Sequence, residues 1–326
     1  MKRLIDSFGR KINYLRLSVT DRCNMRCRYC MPAKGVNKLP REDILSYDEL
    51  FRIAESAVAL GIEKIRVTGG EPLVRKGITG FLTRLASISG LEQLVMTTNG
   101  LYLENMAEDI RSAGVQRLNI SLDSLQPEIF AQITRGGDLS RVLAGISAAD
   151  KAGFSIKINM VVMRGVNDSE VVDFAALAIH KPYTVRFIEY MPVIKEKNWQ
   201  SLSFPCGEIL DRIGRKYSCA PVDRKDLAGP AREYRIENGI GTIGVITPIS
   251  GHFCGECNRI RVTSTGIAKG CLFSAVGTDL KPYVGQFDTL GLDEALRKIV
   301  TSKPGMHLIS VSDADHSPFA MAHVGG

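Results

Sequence analysis

The sequence predicts an α/β fold in which an incomplete, TIM-like barrel of six β/α units precedes a smaller, irregular C-terminal domain. Six short apolar segments alternate with amphipathic helical stretches over residues 15–190. Gly61, Gly114 and Gly153 each stand between a helical stretch and the next apolar segment, where a helix can end. Parallel strands joined by right-handed crossovers can curl into such a partial barrel. After residue 191 the alternation stops, which divides the chain into residues 1–191 and 192–326.

The six predicted strands lie at residues 15–19, 64–67, 93–97, 118–121, 156–162 and 185–189. The first predicted helix starts at a capping box, in which Ser46 is followed three residues later by Glu49. Leu50, Ala54 and Val58 then recur on one face of this helix, so we expect that face to pack against the sheet.

The C-terminal region contains fewer regular elements. Helices are predicted over residues 204–213 and 292–302, and from Cys219 onward glycine and proline interrupt short apolar runs. Residues 239–244 match the G-x-G-x-x-G pattern of dinucleotide-binding proteins, but no helix follows them. We therefore interpret this segment as a turn between strands.

Composition and charge are those of an ordinary globular protein. The 326 residues are 44% hydrophobic, and 42 lysines and arginines against 35 aspartates and glutamates give a net charge of +7. No apolar run approaches the roughly 18 residues of a membrane span, and the N-terminus lacks the apolar stretch of a signal peptide. We expect a cytoplasmic protein without a membrane partner. Its eight cysteines should stay reduced there, so clustered cysteines are expected to be metal or cluster ligands instead of disulfides. The basic excess suits an anionic substrate or a nucleic acid equally well.

The strongest chemical signal is a C-x3-C-x2-C motif formed by Cys23, Cys27 and Cys30 on the loop after the first strand. Three thiolates on one short loop can hold three irons of a [4Fe-4S] cluster and leave the fourth iron without a protein ligand. An open iron can chelate S-adenosylmethionine and pass an electron to its sulfonium. A structural zinc site is the alternative, but such sites usually have four protein ligands.

A second trio, Cys254, Cys257 and Cys271, lies in the C-terminal region with C-x2-C-x13-C spacing. Three ligands again leave one position open, which is compatible with a second cluster. A zinc site completed by His252 fits the same spacing equally well. The two remaining cysteines fit neither trio, and we interpret them as small buried side chains.

Basic side chains interrupt the apolar pattern in four of the six predicted strands. Because side chains alternate between the two faces of a strand, these cations share the polar face, which points into the barrel. Burying a cation is costly unless it is paired, so four inward cations suggest a polyanionic ligand such as a phosphate chain. Salt bridges to Asp123 or Glu189 are the alternative for one or two of them. The four cations are Arg16, Arg66, Lys157 and Arg186.

Several of these motifs, together with a glycine-rich segment after the second strand, carry a family resemblance. The first cysteine motif, with Tyr29 before its third cysteine, and the segment Thr68-Gly69-Gly70-Glu71-Pro72 resemble the radical S-adenosylmethionine superfamily. Nearly the whole chain is also similar to one family within it, the GTP 3′,8-cyclases of molybdenum cofactor biosynthesis. This resemblance rests on DRCNMRCRYC, KIRVTGGEPLVRKG, TTNGLYL, NISLDSL, VRFIEYMP, FCGECNRIRVTSTGIAKGCLF and the terminal Gly-Gly.

The resemblance implies two [4Fe-4S] clusters and S-adenosylmethionine as cofactors, with a cluster instead of zinc on the second trio. The residues implied to bind S-adenosylmethionine are Tyr29, Gly69, Gly70, Glu71, Ser121 and Met191. The residues implied to bind GTP are Arg16, Lys64, Arg66, Thr97, Lys157, Arg186, Arg259 and Arg261. Catalytic roles are implied for Arg16, Lys157, Arg259 and Arg261. In this family the Gly-Gly tail reaches back into the active site, although residues 306–320 depart from the family pattern.

The activity that the resemblance implies is a radical cyclisation. A 5′-deoxyadenosyl radical takes the C3′ hydrogen of GTP, and the C3′ radical attacks C8. A further electron and a proton then give (8S)-3′,8-cyclo-7,8-dihydroguanosine 5′-triphosphate. The implied partners are a second copy of the chain in a homodimer, a low-potential electron donor of flavodoxin or ferredoxin type, and the downstream cyclic pyranopterin monophosphate synthase.

Two other functions are compatible with some of these features. Another radical enzyme with an auxiliary cluster could act on a peptide or an RNA. A zinc-stabilised nucleic-acid binder would explain the charge and the second trio, but it leaves the open three-cysteine loop unexplained. The aromatic content is only 7%, and the informative cations lie within strands instead of on surface stretches, so we do not expect a nucleic-acid partner.

Overall fold

The structure is a computed structural model that describes residues 3–191, 193, 199–223, 227–251, 253–274, 276–306 and 321–325. Its centre is one sheet of twelve strands. The strands are β1 (Tyr14–Ser18), β2 (Lys64–Thr68), β3 (Gln93–Thr98), β4 (Arg117–Ser121), β5 (Ser155–Val162), β6 (Thr184–Glu189), β7 (Cys219–Pro221), β8 (Arg232–Ile236), β9 (Thr242–Ile246), β10 (Arg259–Val262), β11 (Ile267–Lys269) and β12 (Thr278–Asp279).

The strand order is β12-β11-β10-β1-β2-β3-β4-β5-β6-β9-β8-β7. Strands β1 to β6 form the parallel sheet of the six predicted β/α units, and each predicted strand is confirmed with ends that differ by at most one residue. Two C-terminal strands extend it in parallel, since β10 pairs with β1 and β9 pairs with β6. The four outermost strands run antiparallel to their neighbours. The C-terminal region therefore contributes to both edges of the barrel sheet, and a domain division at residue 191 stays a prediction.

Helices follow the strands of the barrel and continue into the C-terminal region. They are α1 (Tyr47–Ala59), α2 (Ile78–Ala86), α3 (Ala107–Ser112), α4 (Pro127–Thr134), α5 (Leu139–Lys151), α6 (Val171–His180), α7 (Cys206–Gly214), α8 (Lys281–Gly285), α9 (Thr289–Thr301) and α10 (Met321–Val324). The capping box predicted for α1 is confirmed, because Ser46 Oγ accepts from the Glu49 amide and the Glu49 carboxylate accepts from the Ser46 amide. Helices α7 and α9 confirm the two helices predicted after residue 191.

The two faces of the barrel sheet differ in chemistry, as the alternation predicted. Leu15 and Leu17 of β1 are fully buried and belong to a core cluster that includes Leu50 and Ala54 of α1. The polar residues of each strand lie on the opposite face, which encloses the barrel interior. Residues 239–241 lie in the turn between β8 and β9, which confirms our interpretation for the first half of the glycine-rich segment, whereas residues 242–244 already belong to β9. In the described part of the chain no helix is both long and apolar enough to span a membrane.

Candidate active site

One cavity of about 290 Å³ opens where the parallel strands end, and both cysteine trios line it. Of the residues predicted for the two cofactors and GTP, most line this cavity together. They are Arg16, Cys23, Cys27, Tyr29, Cys30, Arg66, Gly69, Gly70, Glu71, Thr97, Ser121, Met191, Cys254, Cys257, Arg259, Arg261 and Cys271. The remaining three, Lys64, Lys157 and Arg186, belong to the same inward face but do not line the cavity.

Backbone hydrogen bonds fix the first cysteine loop on the end of α4. The amides of Arg26 and Arg28 donate to the carbonyl oxygens of Thr134 and Ile133 at 3.1 and 2.9 Å. Arg135, which follows α4 with a positive φ of 55°, donates from its guanidinium to the carbonyl oxygens of Arg26 and Met31. The loop is therefore positioned by backbone atoms, and its three thiols are left for ligation.

The Gly69-Gly70 pair packs directly against this loop. A Cβ on Gly70 would lie 2.4 Å from the carbonyl oxygen of Arg22, and one on Gly69 would lie 2.7 Å from that of Thr20. The amides of Gly70 and Glu71 donate to the same two carbonyl oxygens at 2.8 Å. In the sequence we attributed these glycines to the close approach of a ligand, whereas here they allow the approach of the cysteine loop.

Glu71 links this glycine segment to the end of β3. Its carboxylate accepts from the Leu73 amide at 3.0 Å, from Thr98 Oγ1 at 2.8 Å and from the Asn99 amide at 2.7 Å. Only 1% of the residue is exposed, and burial raises the pKa of this carboxyl to about 7. Glu71 thus holds the cavity wall together, in addition to any contact with a cofactor.

Asp123 and Glu189 are both buried, and neither forms an ion pair with a cation among the described residues. Asp123 accepts from the Tyr29 hydroxyl at 2.8 Å and from the Val161 amide at 2.9 Å. Glu189 accepts from three backbone amides, of Cys206, Ile249 and Ser250. The predicted alternative that these two carboxylates neutralise the inward cations is therefore wrong, because hydrogen-bond donors already occupy them.

A row of arginines crosses three neighbouring strands at the floor of the cavity. Arg16 of β1 lies in register with Arg261 of β10 on one side and with Arg66 of β2 on the other. Burial, followed by repulsion from Arg16 and Arg259, lowers the pKa of Arg261 to about 9. Like charges on directly opposed positions destabilise a sheet, so this row indicates a site for an anion.

Several buried polar atoms around this floor have no hydrogen-bond partner within the described ranges. They are Tyr14 Oη, Arg16 Nε, Arg66 Nε, Thr97 Oγ1 and Arg117 Nε. Burial raises the pKa of Tyr14, but Arg66, Arg16, Arg259 and Arg186 outweigh it and lower the pKa below its usual value of 10. Buried donors normally find partners, so a polar ligand with several acceptor atoms fits this part of the site.

The three cations that do not line the cavity lie deeper in the barrel. Lys157 forms an ion pair with Glu233 of β8 at 2.5 Å, so one of the four cations has an internal partner that the sequence analysis did not identify. Arg186 donates to Asn159 Oδ1 at 2.9 Å. Lys64 donates to the carbonyl oxygen of Leu227, and burial, followed by repulsion from Arg66 and Arg117, lowers its pKa to about 6.

The second trio has cationic neighbours. Lys303 Nζ lies 3.3 Å from Cys257 Sγ, and Arg259 Nη2 lies 3.9 Å from the same sulfur. Burial raises the pKa of Cys257, but these two cations outweigh it and lower the pKa to about 6. By contrast, burial raises the pKa of Cys23 to about 11 and that of Cys30 to about 12. The surroundings of Cys257 thus favour a thiolate even before a metal is bound.

Each trio offers three free thiols to one cavity, which fits a [4Fe-4S] cluster with one iron left open. Within the described ranges no three Cys, His, Asp or Glu side chains are grouped as they would be around one metal ion. His252, the predicted fourth zinc ligand, lies outside the described residues. Cys206 is 2% exposed and packs in the core, which confirms its interpretation as a small buried side chain, whereas Cys219 is only partly buried against the core.

The C-terminal tail enters the same cavity. Met321 and Ala322 of α10 line it, and the Met321 amide donates to the carbonyl oxygen of Cys30 at 3.1 Å. Arg261 Nη1 donates to the carbonyl oxygen of Gly325 at 3.1 Å. The tail thus reaches the active site as the resemblance implied, while the divergent residues 307–320 and Gly326 lie outside the described part.

Sequence reasoning missed several residues of this site. Tyr14 and Arg117 each stand two positions before a residue on the predicted polar face, so strand alternation could have found them. Glu233 lies on β8, a strand that was not predicted, and Lys303 is an isolated lysine after α9. No signal in the sequence pointed to either.

Two protein-family models together match most of the chain. The Radical SAM superfamily model matches residues 17–178, and the Molybdenum Cofactor Synthesis C model matches residues 183–309. A GTP 3′,8-cyclase of Geobacter sulfurreducens is 66% identical over 324 residues, which cover 99% of each chain. The chain belongs to the GTP 3′,8-cyclase family. A further GTP 3′,8-cyclase, from Moorella thermoacetica, is 43% identical to this family member over 98% of its chain and 99% of the relative.

Solved structures that resemble this family member support the fold. Streptococcus suis SuiB bound to S-adenosylmethionine superposes with a TM-score of 0.61 at 12% identity, covering 89% of this chain and 69% of SuiB. The protein anSMEcpe with bound AdoMet gives a TM-score of 0.61 at 16% identity, covering 88% and 79% of the two chains. At these identities the likeness concerns the fold alone, and it confirms the partial barrel.

Proposed function

We propose that this protein is a radical S-adenosylmethionine enzyme that converts GTP to 3′,8-cyclo-7,8-dihydro-GTP, the first step of molybdenum cofactor biosynthesis. The observation that carries the proposal is that both cysteine trios and the arginine row line one cavity. The family membership of nearly the whole chain supports the same activity. When bound, a [4Fe-4S] cluster on Cys23, Cys27 and Cys30 supplies the electron that cleaves S-adenosylmethionine reductively.

The arginines of the cavity floor bind and orient the triphosphate. Arg16, Arg66, Arg259 and Arg261 carry fixed positive charge on adjacent strands, and guanidinium groups bind phosphate oxygens in pairs. Two further predicted contacts, Lys157 and Arg186, extend this charge deeper into the barrel. The third, Lys64, has a pKa lowered to about 6 and would gain its charge next to the bound triphosphate. Thr97 Oγ1, which is buried without a partner in the described part, completes the predicted GTP contacts.

The predicted contacts of S-adenosylmethionine surround the first trio. Gly69, Gly70 and Glu71 form the wall beside the cysteine loop, while Ser121 and Met191 end or follow strands on the same rim. Tyr29 is held by its hydrogen bond to Asp123. The second trio lies on the same cavity, next to Arg259, and would hold its cluster against the purine of GTP.

The residues assigned catalytic roles act by position and charge. A radical that abstracts a hydrogen atom requires no general base, so Arg16, Lys157, Arg259 and Arg261 need not accept a proton. Their task is to hold GTP in one orientation through its triphosphate. The wall of the cavity excludes water and other hydrogen donors from the reacting atoms.

The partners of this reaction are part of the proposal. A low-potential flavodoxin or ferredoxin would supply electrons, cyclic pyranopterin monophosphate synthase would consume the product, and the chain would act as a homodimer. A peptide- or RNA-modifying activity fits less well, because the cations converge inside the barrel in front of a small cavity. That arrangement suits a nucleotide triphosphate better than a polymer.

The test is an anaerobic incubation of the reconstituted protein with GTP, reductant and S-adenosylmethionine. We expect 5′-deoxyadenosine and a cyclised nucleotide by mass spectrometry, and about eight irons per chain by metal analysis. The C27A variant should form no 5′-deoxyadenosine, because the first cluster loses a ligand. Iron near four with bound zinc, or 5′-deoxyadenosine without a cyclised nucleotide, would contradict the cyclase function.

A further inference from the structure

Lys303 is a buried lysine whose ammonium group contacts the second cysteine trio. It follows α9, and only 3% of the residue is exposed. Its Nζ lies 3.3 Å from Cys257 Sγ and 2.6 Å from the carbonyl oxygen of Gly270, the residue before Cys271. The lysine therefore contacts the segments that carry two of the three cysteines.

Among the described residues, the groups that supply negative charge to this lysine are thiols of the second trio: Cys257, whose sulfur it contacts, and Cys271. A buried ammonium group is costly unless an anion or several acceptors compensate it. No carboxylate in the described ranges forms an ion pair or a hydrogen bond with Lys303. A cysteine that ligates iron carries thiolate charge, so a cluster on this trio supplies the missing counter-charge.

The surrounding chain fixes the lysine in this position from two sides. A Cβ on Gly270 would lie 3.2 Å from both Cα and Cβ of Lys303, so glycine allows the two segments to pack closely. Arg10 donates to the carbonyl oxygens of Cys254, Pro304 and Gly305 at 2.6, 2.7 and 2.9 Å. It thereby joins the residues after Lys303 to the first cysteine of the trio.

Arg259 also faces Cys257 Sγ, at 3.9 Å, but it differs from Lys303 in two respects. Arg259 lines the cavity, where the substrate can engage it, whereas Lys303 does not. The contact from Lys303 is also the shorter of the two. A donor that is permanently directed at the sulfur is suited to act on the cluster and not on the substrate.

We propose that Lys303 is a positioning residue for the second cluster: its ammonium group donates a hydrogen bond to Cys257 Sγ and raises the reduction potential of the cluster held by that trio. Hydrogen bonds to the sulfurs are among the factors that set cluster potentials, and a positive donor stabilises the more negative, reduced state. This inference rests on the proposed function, which places a cluster on the second trio.

The experiment compares reconstituted wild-type holoenzyme with K303M, K303R and K298M. Methionine keeps the length of the side chain without its charge, and arginine keeps the charge. Lys298 is exposed on the preceding helix α9 and serves as the matched control. The readouts are iron per chain and a redox titration followed by electron paramagnetic resonance. Adding S-adenosylmethionine identifies the first cluster, because it perturbs only that signal.

We expect about eight irons per chain in all four proteins. The potential of the second cluster should shift to more negative values in K303M and remain near wild type in K303R and K298M. An unchanged potential in K303M overturns the proposal. If K303M loses the second cluster, a K303R protein that keeps it at the wild-type potential supports the proposal, and loss in both variants overturns it. Wild-type protein with about four irons and zinc would refute the second cluster itself. The iron content of wild type thus distinguishes a failure of the proposed function from a failure of the role proposed for Lys303.

Discussion

Arg16 of β1 and Arg261 of β10 are register partners in adjacent parallel strands, so two guanidinium groups lie side by side in the barrel interior. Neither forms an ion pair with a carboxylate within the described ranges. Opposed like charges cost stability in a sheet, and a bound triphosphate would turn that repulsion into attraction. The arrangement thus lowers the folding stability of the substrate-free protein and raises its affinity for the triphosphate.

Replacing Arg66 tests this relationship directly. R66A removes one guanidinium of the row, and charge-assisted hydrogen bonds contribute about 1.5–3 kcal/mol each, so GTP affinity should fall roughly 10- to 150-fold. K157A should also weaken GTP binding, and iron content should be unchanged in both. The measurement is calorimetric titration with GTP. R84A is the control, since the Arg84–Asp48 ion pair is exposed on the surface. Equal GTP affinity in R66A, K157A and wild type would exclude the phosphate assignment.

Replacing Glu233 should change the GTP affinity in the opposite direction. Its carboxylate holds Lys157 Nζ at 2.5 Å, and the predicted GTP contact requires the same ammonium group. E233Q removes the competing charge and should strengthen GTP binding several-fold, in contrast to K157A. In the double variant E233Q/K157A the gain should disappear, because no ammonium group is left to release. Its GTP affinity should be close to that of K157A. If E233Q weakens binding instead, Lys157 does not reach the substrate.

Lys64 should make GTP binding dependent on pH. Burial, and then repulsion from neighbouring arginines, lowers its pKa to about 6, so the free protein holds it largely neutral at pH 7.5. A triphosphate next to it raises that pKa, so binding takes up a proton. Affinity should therefore rise as pH falls from about 8 towards 6 and level off below the pKa of the free protein.

The proton uptake is measured by calorimetry at pH 7.5 in buffers of different ionisation enthalpy. GTP itself titrates in this range, so the informative quantity is the difference between wild type and K64M. We expect K64M to take up close to one proton fewer and to show a flatter pH profile. Identical proton uptake in the two proteins would mean that Lys64 does not contact the nucleotide.

The parts of the site that the sequence predicted depend on local pattern. The spacing of Cys23, Cys27 and Cys30 is contained in one loop, and the inward position of Arg16 and Arg66 follows from alternation within a strand. The parts of the site that the sequence did not predict depend on contacts between residues that are far apart in the chain. Strands β7 to β12 are two to five residues long. Of these, β9 and β10 pair with β6 and β1, at opposite edges of the barrel strands β1 to β6. The partner of Lys157 and the lysine behind Cys257 both come from this region.

Glu71 should matter for stability as well as for cofactor binding. Its carboxylate accepts three hydrogen bonds from Leu73, Thr98 and Asn99, and glutamine would place an amide NH2 against at least one of these donors. E71Q should therefore reduce the free energy of unfolding by about 1–3 kcal/mol. The measurement is denaturant unfolding in the absence of S-adenosylmethionine, with E92Q as an exposed control. Unchanged unfolding with impaired S-adenosylmethionine binding would assign Glu71 to the cofactor alone.

Gly325 packs the C-terminal tail against Ser18 and Thr68 and accepts a hydrogen bond from Arg261. Its replacement should detach the tail from the active site. It has a positive φ of 77°, and a Cβ would lie 3.0 Å from Ser18 Cβ and from Thr68 Cγ2. The left-handed conformation alone costs a non-glycine residue about 1–2 kcal/mol, so G325A should withdraw the tail and its hydrogen bond to Arg261. Cyclised product should then fall roughly 5- to 30-fold, while iron content stays at the wild-type level. G207A is the matched control, because no atom lies within 4 Å of a Cβ at that position and its φ is not positive. Product formation in G325A equal to that in G207A would mean that the tail has no part in catalysis.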